Sequence, residues 1–362
     1  MSKNTISKKK FLFISNKINK SPVGGRKNLT NLNEIVLKKI FKKNFFSHKL
    51  EKKKISTLRN IFMTILGTID GINGKNIKII KNLIKKKKIT HVFIDGSNLG
   101  KISRKISNEN IKIITFCHNV ETNFFLKKFK IFSNLKNFCI LLVNYFAELQ
   151  SVYFSDYLIY LNNRDKNIME RYFFKKKYFL VPICIEDKFK KFKNSINKSK
   201  FILFVGSNFF GNITGLEWYI NKVVNKINLK TYVIGKNLKN TNFNNNPNVI
   251  FKGYVKNLRK FYKEALFVVA PIFKGSGMKT KVAESLMFGK SLIGLEEAFV
   301  GYEKFEKIIG KKCKDDNDFV KAINKFASQK HPFYKPKLRK IYLENFSNYK
   351  MKYSYENIFR KI

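Results

Sequence analysis

The sequence predicts an α/β protein made of two doubly wound parallel-sheet domains that face each other across a cleft. Three observations carry this. Short apolar runs, such as residues 11–14 (FLFI), Phe201–Val205 (FILFV) and residues 267–270 (FVVA), alternate with longer segments of helical spacing. That is the pattern of buried parallel strands joined by crossover helices. The alternation runs to residue 181 and then starts again at Phe201. Between the two series lies a charged run with Asn and Ser, residues 186–200. The expected organisation is a first domain over 1–185, a linker over 186–200 and a second domain over 201–340. A C-terminal helix over 341–362 is expected to pack back on the first domain.

The first series opens with the strand at 11–14. The loop SNKINKSPVGGRKN follows, in which Pro22, Gly24 and Gly25 make a flexible connection. Leu32, Ile35, Val36 and Ile40 then keep helical spacing over 29–41. Residues 42–60 are basic and poorly patterned and read as a loop-helix excursion, and 61–66 suit a strand or a helix equally. Residues 76–89 read as a helix with Ile77, Ile80, Leu83 and Ile84 on one side. Strands follow at 91–94, ending in Asp95-Gly96, and at 111–115, ending in FCHNVE. Residues 123–150 read as one long helix with a Phe/Leu face of core type. A strand at 156–161, a helix at 163–172 and a strand at 178–181 close the series.

The second series has the strand at Phe201–Val205, the loop GSNFFGN, and a helix carrying Gly215, Leu216, Trp218, Tyr219 and Ile220. Strands at 231–234 and 249–251 follow, the latter ending in Gly253-Tyr254-Val255. A helix at 258–265 leads to the stretch around which the domain is organised. There the strand at 267–270 is ended by Pro271, which cannot continue a ladder. Gly275, Ser276 and Gly277 form a loop into a helix beginning near Met278. Gly289 has the place of a C-terminal glycine cap, and residues 291–294 (SLIG) form the next strand. Terminal helices are expected at 315–327 and 341–360.

The 362 residues carry 74 Lys+Arg against 24 Asp+Glu, a formal charge of +50. Such a balance suits anionic partners: nucleic acid, an acidic membrane face or phosphorylated substrates. The basic residues are spread along the whole chain, and Lys, Asn, Ile and Phe abound inside strands and helices alike, with six prolines and one Trp. Compositional drift toward AT-rich codons gives the same picture. Cys117, Cys139, Cys184 and Cys313 lie far apart without a CxxC pair, which argues against a disulfide framework or zinc site and suits a reduced cytosol. The apolar run after Lys8–Lys10 is too short for a signal peptide. No apolar stretch approaches the ~20 residues of a membrane span.

The organising stretch has the chemistry of an anion site. A helix N-terminus offers free N–H groups and a positive dipole end. Gly275 and Gly277 allow close backbone approach, Lys279 and Lys281 add charge, and Glu284 one turn in can accept from a sugar hydroxyl pair. Together they describe a nucleotide diphosphate pocket. An ordinary βα turn with two solvated lysines would show the same residues. In the first series, His118 and Glu121 sit just past a strand's carboxyl end, where open α/β sheets place ligands. A His there can orient an acceptor hydroxyl or a transferred sugar, or simply bond to a turn backbone. Gly24-Gly25 is a second candidate cradle, or a plain turn.

With these residues in place the chain resembles the family 4-type glycosyltransferases of the GT-B fold. The resemblance is strongest in the block order FVGS…NITGLEWYI…YVIG…NVIFKGYVKNLRKFYKEALFVVAPIFKGSGMKTKVAESLMFGKSLIG…AFVGYE. SPVGGRKN, IDGSNLGK and HNVE carry it more loosely in the first half, and residues 42–75 lie outside it. The resemblance implies two Rossmann-like domains, the second binding a nucleotide-activated sugar. Glu284 would hold the donor ribose. Lys279 and Lys281, with the Ser276 and Gly277 amides and the facing Gly24 and Gly25 loop, would hold the diphosphate. Gly253 and Val255 would lie near the base, and His118 near the reacting sugar as the catalytic residue. Ser276 departs from the pattern, since many members carry a glutamate eight residues before the ribose-binding one. Glu296, Glu297 and Glu303 are neighbouring carboxylates, with no choice among them.

The expected activity is transfer of a sugar from a nucleotide-sugar donor to a glycan or lipid-linked acceptor, retaining and without a metal or other cofactor. The expected setting is cell-surface polysaccharide or glycoconjugate synthesis, in the cytoplasm or peripheral at an anionic inner membrane face. A nucleotide-sugar 2-epimerase of the same fold is the alternative. A basic nucleic-acid binder is the remote one, since no nucleic-acid motif is present and no specific nucleic-acid partner is expected.

Overall fold

Apolar runs become the buried centres of two parallel sheets. The computed structural model describes residues 8–17, 25–51, 72–191, 193, 195–197, 199–236, 238, 246–275 and 277–362. The expectations for 61–66, Gly24 and Ser276 lie outside the described residues. The chain forms two compact units, Met1–Pro182 with Met351–Ile362, and Ile183–Lys350.

In the first unit the strands are β1 (Phe11–Asn16), β2 (Phe45–Leu50), β3 (His91–Asp95), β4 (Lys112–Cys117), β5 (Tyr157–Tyr160) and β6 (Tyr178–Leu180). They pair in parallel in the order β2-β1-β3-β4-β5-β6. The chain moves from β1 outward to β2 and then returns to the other side of β1, so a topological switch point lies between β1 and β3. The helices are α1 (Gly25–Phe41), α2 (Gly74–Lys87), α3 (Gly100–Ile106), α4 (Glu121–Ile131), α5 (Leu135–Phe154) and α6 (Asn163–Tyr172). One face of the sheet is aromatic: Phe13 stacks on Phe93 at 5.7 Å and Phe93 on Phe116 at 5.9 Å. The C-terminal helix covers that face, setting Phe359 edge-on to Phe11 at 5.0 Å and Tyr355 edge-on to Phe93 at 5.9 Å.

The second unit holds β7 (Phe201–Val205), β8 (Lys230–Ile234), β9 (Val249–Gly253), β10 (Val268–Ala270), β11 (Leu292–Leu295) and β12 (Gly310–Cys313). Their order is β12-β11-β10-β7-β8-β9, all parallel. The switch point falls between β7 and β10, where Leu203 is opposite Val268. The helices are α7 (Phe210–Lys222), α8 (Arg259–Glu264), α9 (Thr280–Met287), α10 (Glu306–Ile309), α11 (Asp316–Ala327), α12 (Pro336–Asn345) and α13 (Asn348–Lys361), the last crossing into the first unit. Two doubly wound parallel sheets of six strands are thus present, as the alternation predicts.

Three local expectations need correction, and one strand was not expected. Residues 45–50 are not a loop-helix excursion but the edge strand β2, whose alternating, partly exposed FFSHKL lacks the continuous apolar run of a central strand. The charged β12 escapes sequence reading for the same reason. The long helix over 123–150 is two helices, broken at Ser133-Asn134, where the Asn134 side chain caps α5 by accepting from the Asn137 amide. The C-terminal helix over 341–360 is likewise two. Pro336 starts α12 at its first turn, and Ser347 interrupts the run, its hydroxyl donating to the Leu343 carbonyl and accepting from the Lys350 amide. Gly289 does close α9, with φ of +65° and its amide bonded to the Leu286 carbonyl at 3.0 Å.

Candidate functional site

In open parallel sheets the loops at a switch point diverge and leave a crevice at the strands' carboxyl ends. In the second unit those loops follow β7 and β10. Two glycines on α7 let them come close. A Cβ at Gly215 would stand 1.7 Å from the Pro271 carbonyl oxygen, and one at Gly211 would stand 2.2 Å from that of Lys274. The first two turns of α7 therefore lie directly against the chain leaving β10.

That chain turns into α9 through Gly277, whose φ of +60° suits glycine alone without strain. Val282, Ala283, Leu286 and Met287 are buried, and the helix packs against α12. Lys279 precedes its first turn and donates to the Gly277 carbonyl at 2.7 Å and to Glu297 Oε1 at 2.9 Å. The Tyr302 hydroxyl donates to the Lys279 carbonyl at 2.9 Å. Lys281 is buried, with Nζ donating to Asn212 Oδ1 at 2.9 Å and lying 4.5 Å above the Phe204 ring. Burial, aided by the Lys279 charge, lowers its pKa to about 7. Glu284 is half-buried and accepts from the Tyr262 hydroxyl at 3.0 Å. Burial pushes its carboxyl up, against the pull of Tyr262, Lys188 and Lys281.

The structure thus gathers Gly277, Lys279, Lys281 and Glu284 on one turn. It does not gather Gly253 and Val255 there. Gly253 ends β9 in a left-handed conformation with φ of +65°, and β7 and β8 stand between it and β10. Among the three neighbouring carboxylates the geometry separates what sequence could not: Glu297 pairs with Lys279, whereas Glu303 accepts from the Gly301 amide. Asn212, Tyr262 and Phe204 are neighbours of Lys281 and Glu284 that sequence reading missed. Asn212 at least closes a strand-end loop; Tyr262 and Phe204 carry no local signal. Asp316-Asn317-Asp318 has the spacing of an Asp-x-Asp metal motif, but Asp316 pairs with Lys226 and Asp318 with Lys311 at the start of α11.

In the first unit, His118 lies just beyond β4 and Asp95 ends β3. His118 Nε2 is 2.9 Å from Asp95 Oδ2, and both side chains are buried. Asp95 also accepts from Thr30 Oγ1 at 2.5 Å and Asn33 Nδ2 at 2.7 Å. Burial alone would raise the Asp95 carboxyl, but His118, Thr30 and Asn33 outweigh it and hold the pKa below the ordinary value. His118 Nδ1 is buried with no hydrogen-bond partner among the described residues. Gly25 opens α1, and the next residue, Arg26, pairs with Glu121 Oε1 at 2.8 Å and donates to Asn98 Oδ1 at 2.9 Å. Glu148 accepts from the Glu121 and Thr122 amides and from Ser97, and burial beside Glu121 lifts its pKa to about 7.

Residues 199–329 match the family model described as glycosyl transferases group 1. No curated protein matches the chain. Solved structures do, across nearly its whole length. Sucrose-phosphate synthase from Thermosynechococcus elongatus is 12% identical, with 98% of this chain and 99% of that one covered, at a TM-score of 0.71. HepE of Anabaena is 8% identical, with 98% and 100% covered, at 0.70. A glycosyltransferase from Rickettsia africae is 12% identical, with 98% of each chain covered, at 0.65. At these identities the likeness is one of fold.

Proposed function

We propose that this chain, a glycosyltransferase of the group 1, GT-B type, moves a sugar from a nucleoside diphosphate donor to a glycan or lipid-linked acceptor, with retained configuration and no metal. The observation that carries this is the turn that places Lys279, Lys281 and Glu284 at the switch point of the second unit. HepE has been solved with UDP and with UDP-glucose, and TarM with UDP and a GlcNAc-glycerol, so uracil nucleotides are the first to test.

In this reading the α9 N-terminus and Lys279 take the diphosphate, whose charge grows as the sugar leaves. Lys281, its pKa lowered by burial to about 7, is only partly charged near neutral pH and takes up a proton when the anion arrives. Glu284, fixed by Tyr262, accepts from the ribose hydroxyls. In the first unit, Asp95 fixes His118 through Nε2 and leaves Nδ1 for a sugar hydroxyl. Synthesis of a cell-surface polysaccharide or glycoconjugate suits such an activity.

A thermal-shift panel of nucleotides and nucleotide sugars tests the reading, because a ligand of the native state alone raises the midpoint. A rise with a nucleoside diphosphate and its sugar is expected. If no nucleotide shifts the midpoint, the reading fails. An epimerised free nucleotide sugar formed without acceptor would replace transfer by epimerisation.

A further inference from the structure

We propose that the helical pair α4 and α5 of the first unit is a docking surface for an anionic lipid bilayer. This rests on surface chemistry and is independent of the donor chemistry proposed above. Phe132, Leu135, Phe138, Leu142, Phe146 and Tyr153 are all exposed, Leu135 to 78% and Phe146 to 54%. From 135 onward they recur at spacings of three, four or seven, so they form one stripe along α5. The opposite face of α5, with Val143, Ala147, Ser151 and Val152, is buried on the unit. The stripe is continuous with its surroundings. Phe129 of α4 packs against Phe138 at 5.7 Å, and Phe174 against Tyr153 at 6.1 Å. Seven of the nineteen large apolar side chains exposed among the described residues fall between 131 and 153. That concentration is what single scattered surface residues do not produce.

Charge complementarity decides the occupant. Between Glu121 and Glu148, both buried, the sequence has Lys127, Lys128, Lys130 and Lys136 and no acid. Lys175, Lys176 and Lys177 follow Phe174, and Lys176 Nζ reaches the Tyr153 carbonyl at 3.2 Å. An apolar stripe bordered by cations alone matches acyl chains beneath anionic headgroups. A second copy would bring the same lysines against each other in a two-fold interface, which like charges oppose. No helix among the described residues is long and apolar enough to cross a membrane, so the surface would lie in the headgroup region.

Co-sedimentation of the full chain with phosphatidylcholine vesicles, with and without phosphatidylglycerol, tests this. The chain should partition onto the anionic vesicles, with part of the binding surviving 0.5 M salt through the apolar contact. A Leu135→Ser/Leu142→Ser/Phe146→Ser variant should lose partitioning by about tenfold or more, with an unchanged melting curve because these side chains are exposed. Leu135→Ser alone serves if the triple variant does not fold. Each lysine near the surface should contribute about fivefold. Lys128→Gln/Lys130→Gln/Lys136→Gln should therefore lose far more than the charge-matched Lys85→Gln/Lys86→Gln/Lys87→Gln on α2. Undiminished binding by the apolar variants, or equal losses in the two lysine sets, would overturn the proposal. So would a dimer in sedimentation velocity that the apolar variant dissolves while vesicles bind neither form.

Discussion

Lys281 Nζ donates to Asn212 Oδ1 at 2.9 Å, across 69 residues of sequence and beside the ring of Phe204. This bond joins the first helix after β7 to the helix after β10 and so ties together the two sides of the switch point. It also gives a buried lysine, with a pKa lowered to about 7, only a neutral oxygen to bond.

Diphosphate binding should be coupled to proton uptake at Lys281. Above pH 7 the free protein holds Lys281 mostly neutral, and a bound diphosphate restores its charge, so binding takes up a proton. Affinity should fall as pH rises through 7 and 8. Calorimetry in buffers of different ionisation enthalpy should find an uptake approaching one proton at pH 8; an uptake of zero would refute it. The stability linkage has a defined sign as well. The folded pKa lies below the unfolded one of about 10.5, so between pH 7 and 10.5 the unfolded state binds the extra proton and the cost of Lys281 shrinks as pH rises. Lys281→Met should therefore melt higher than the parent at pH 7, by a margin that narrows toward pH 10.

Glu284→Gln keeps an oxygen for the Tyr262 hydroxyl and removes the carboxylate that would hold the ribose. Turnover of the donor should drop by ~10² while the fold persists, and Lys281→Ala should cost as much or more. Steady-state kinetics with unchanged turnover in both variants would remove these residues from the site.

Gly215 allows α7 to touch the Pro271 carbonyl. Gly215→Ala forces a Cβ to within 1.7 Å of that oxygen and should destabilise by about 3 kcal/mol in urea unfolding. Gly253→Ala meets no atom within 4 Å but keeps a left-handed backbone, and it should cost only about 1 kcal/mol. Equal costs would mean that the close approach is not formed.

Asp95 positions His118. His118→Ala leaves a buried carboxylate supported only by Thr30 and Asn33, and should destabilise by about 3 kcal/mol. Adding Asp95→Asn should recover part of that loss, which a double-mutant cycle measures. Additive losses would deny the pairing. In kinetics Asp95→Asn should lower kcat more than it changes KM.

The central strands were legible because burial on both faces writes unbroken apolar runs: FLFI, FILFV and FVVA all stand at 0% to 9% exposure except Val205 at the end of its strand. The edges β2 and β12 were not, because a half-solvated edge tolerates Ser, His and Lys and loses that signature. The glycine–lysine–glutamate turn was legible because its residues are neighbours along one helix. Its partners were not.

Local sequence alone sufficed for the alternation of elements, the position of α9 and the cap at Gly289, since spacing and backbone freedom act over a few residues. Only the folded chain brings Asn212 to Lys281, Tyr262 to Glu284 and Glu297 to Lys279, and Asn33 to Tyr355 across 322 residues. The physical reason is the reversal of strand order. It sets the ends of distant strands side by side, so burial, and with it the charge state of Lys281 and Asp95, depends on contacts that no local pattern contains.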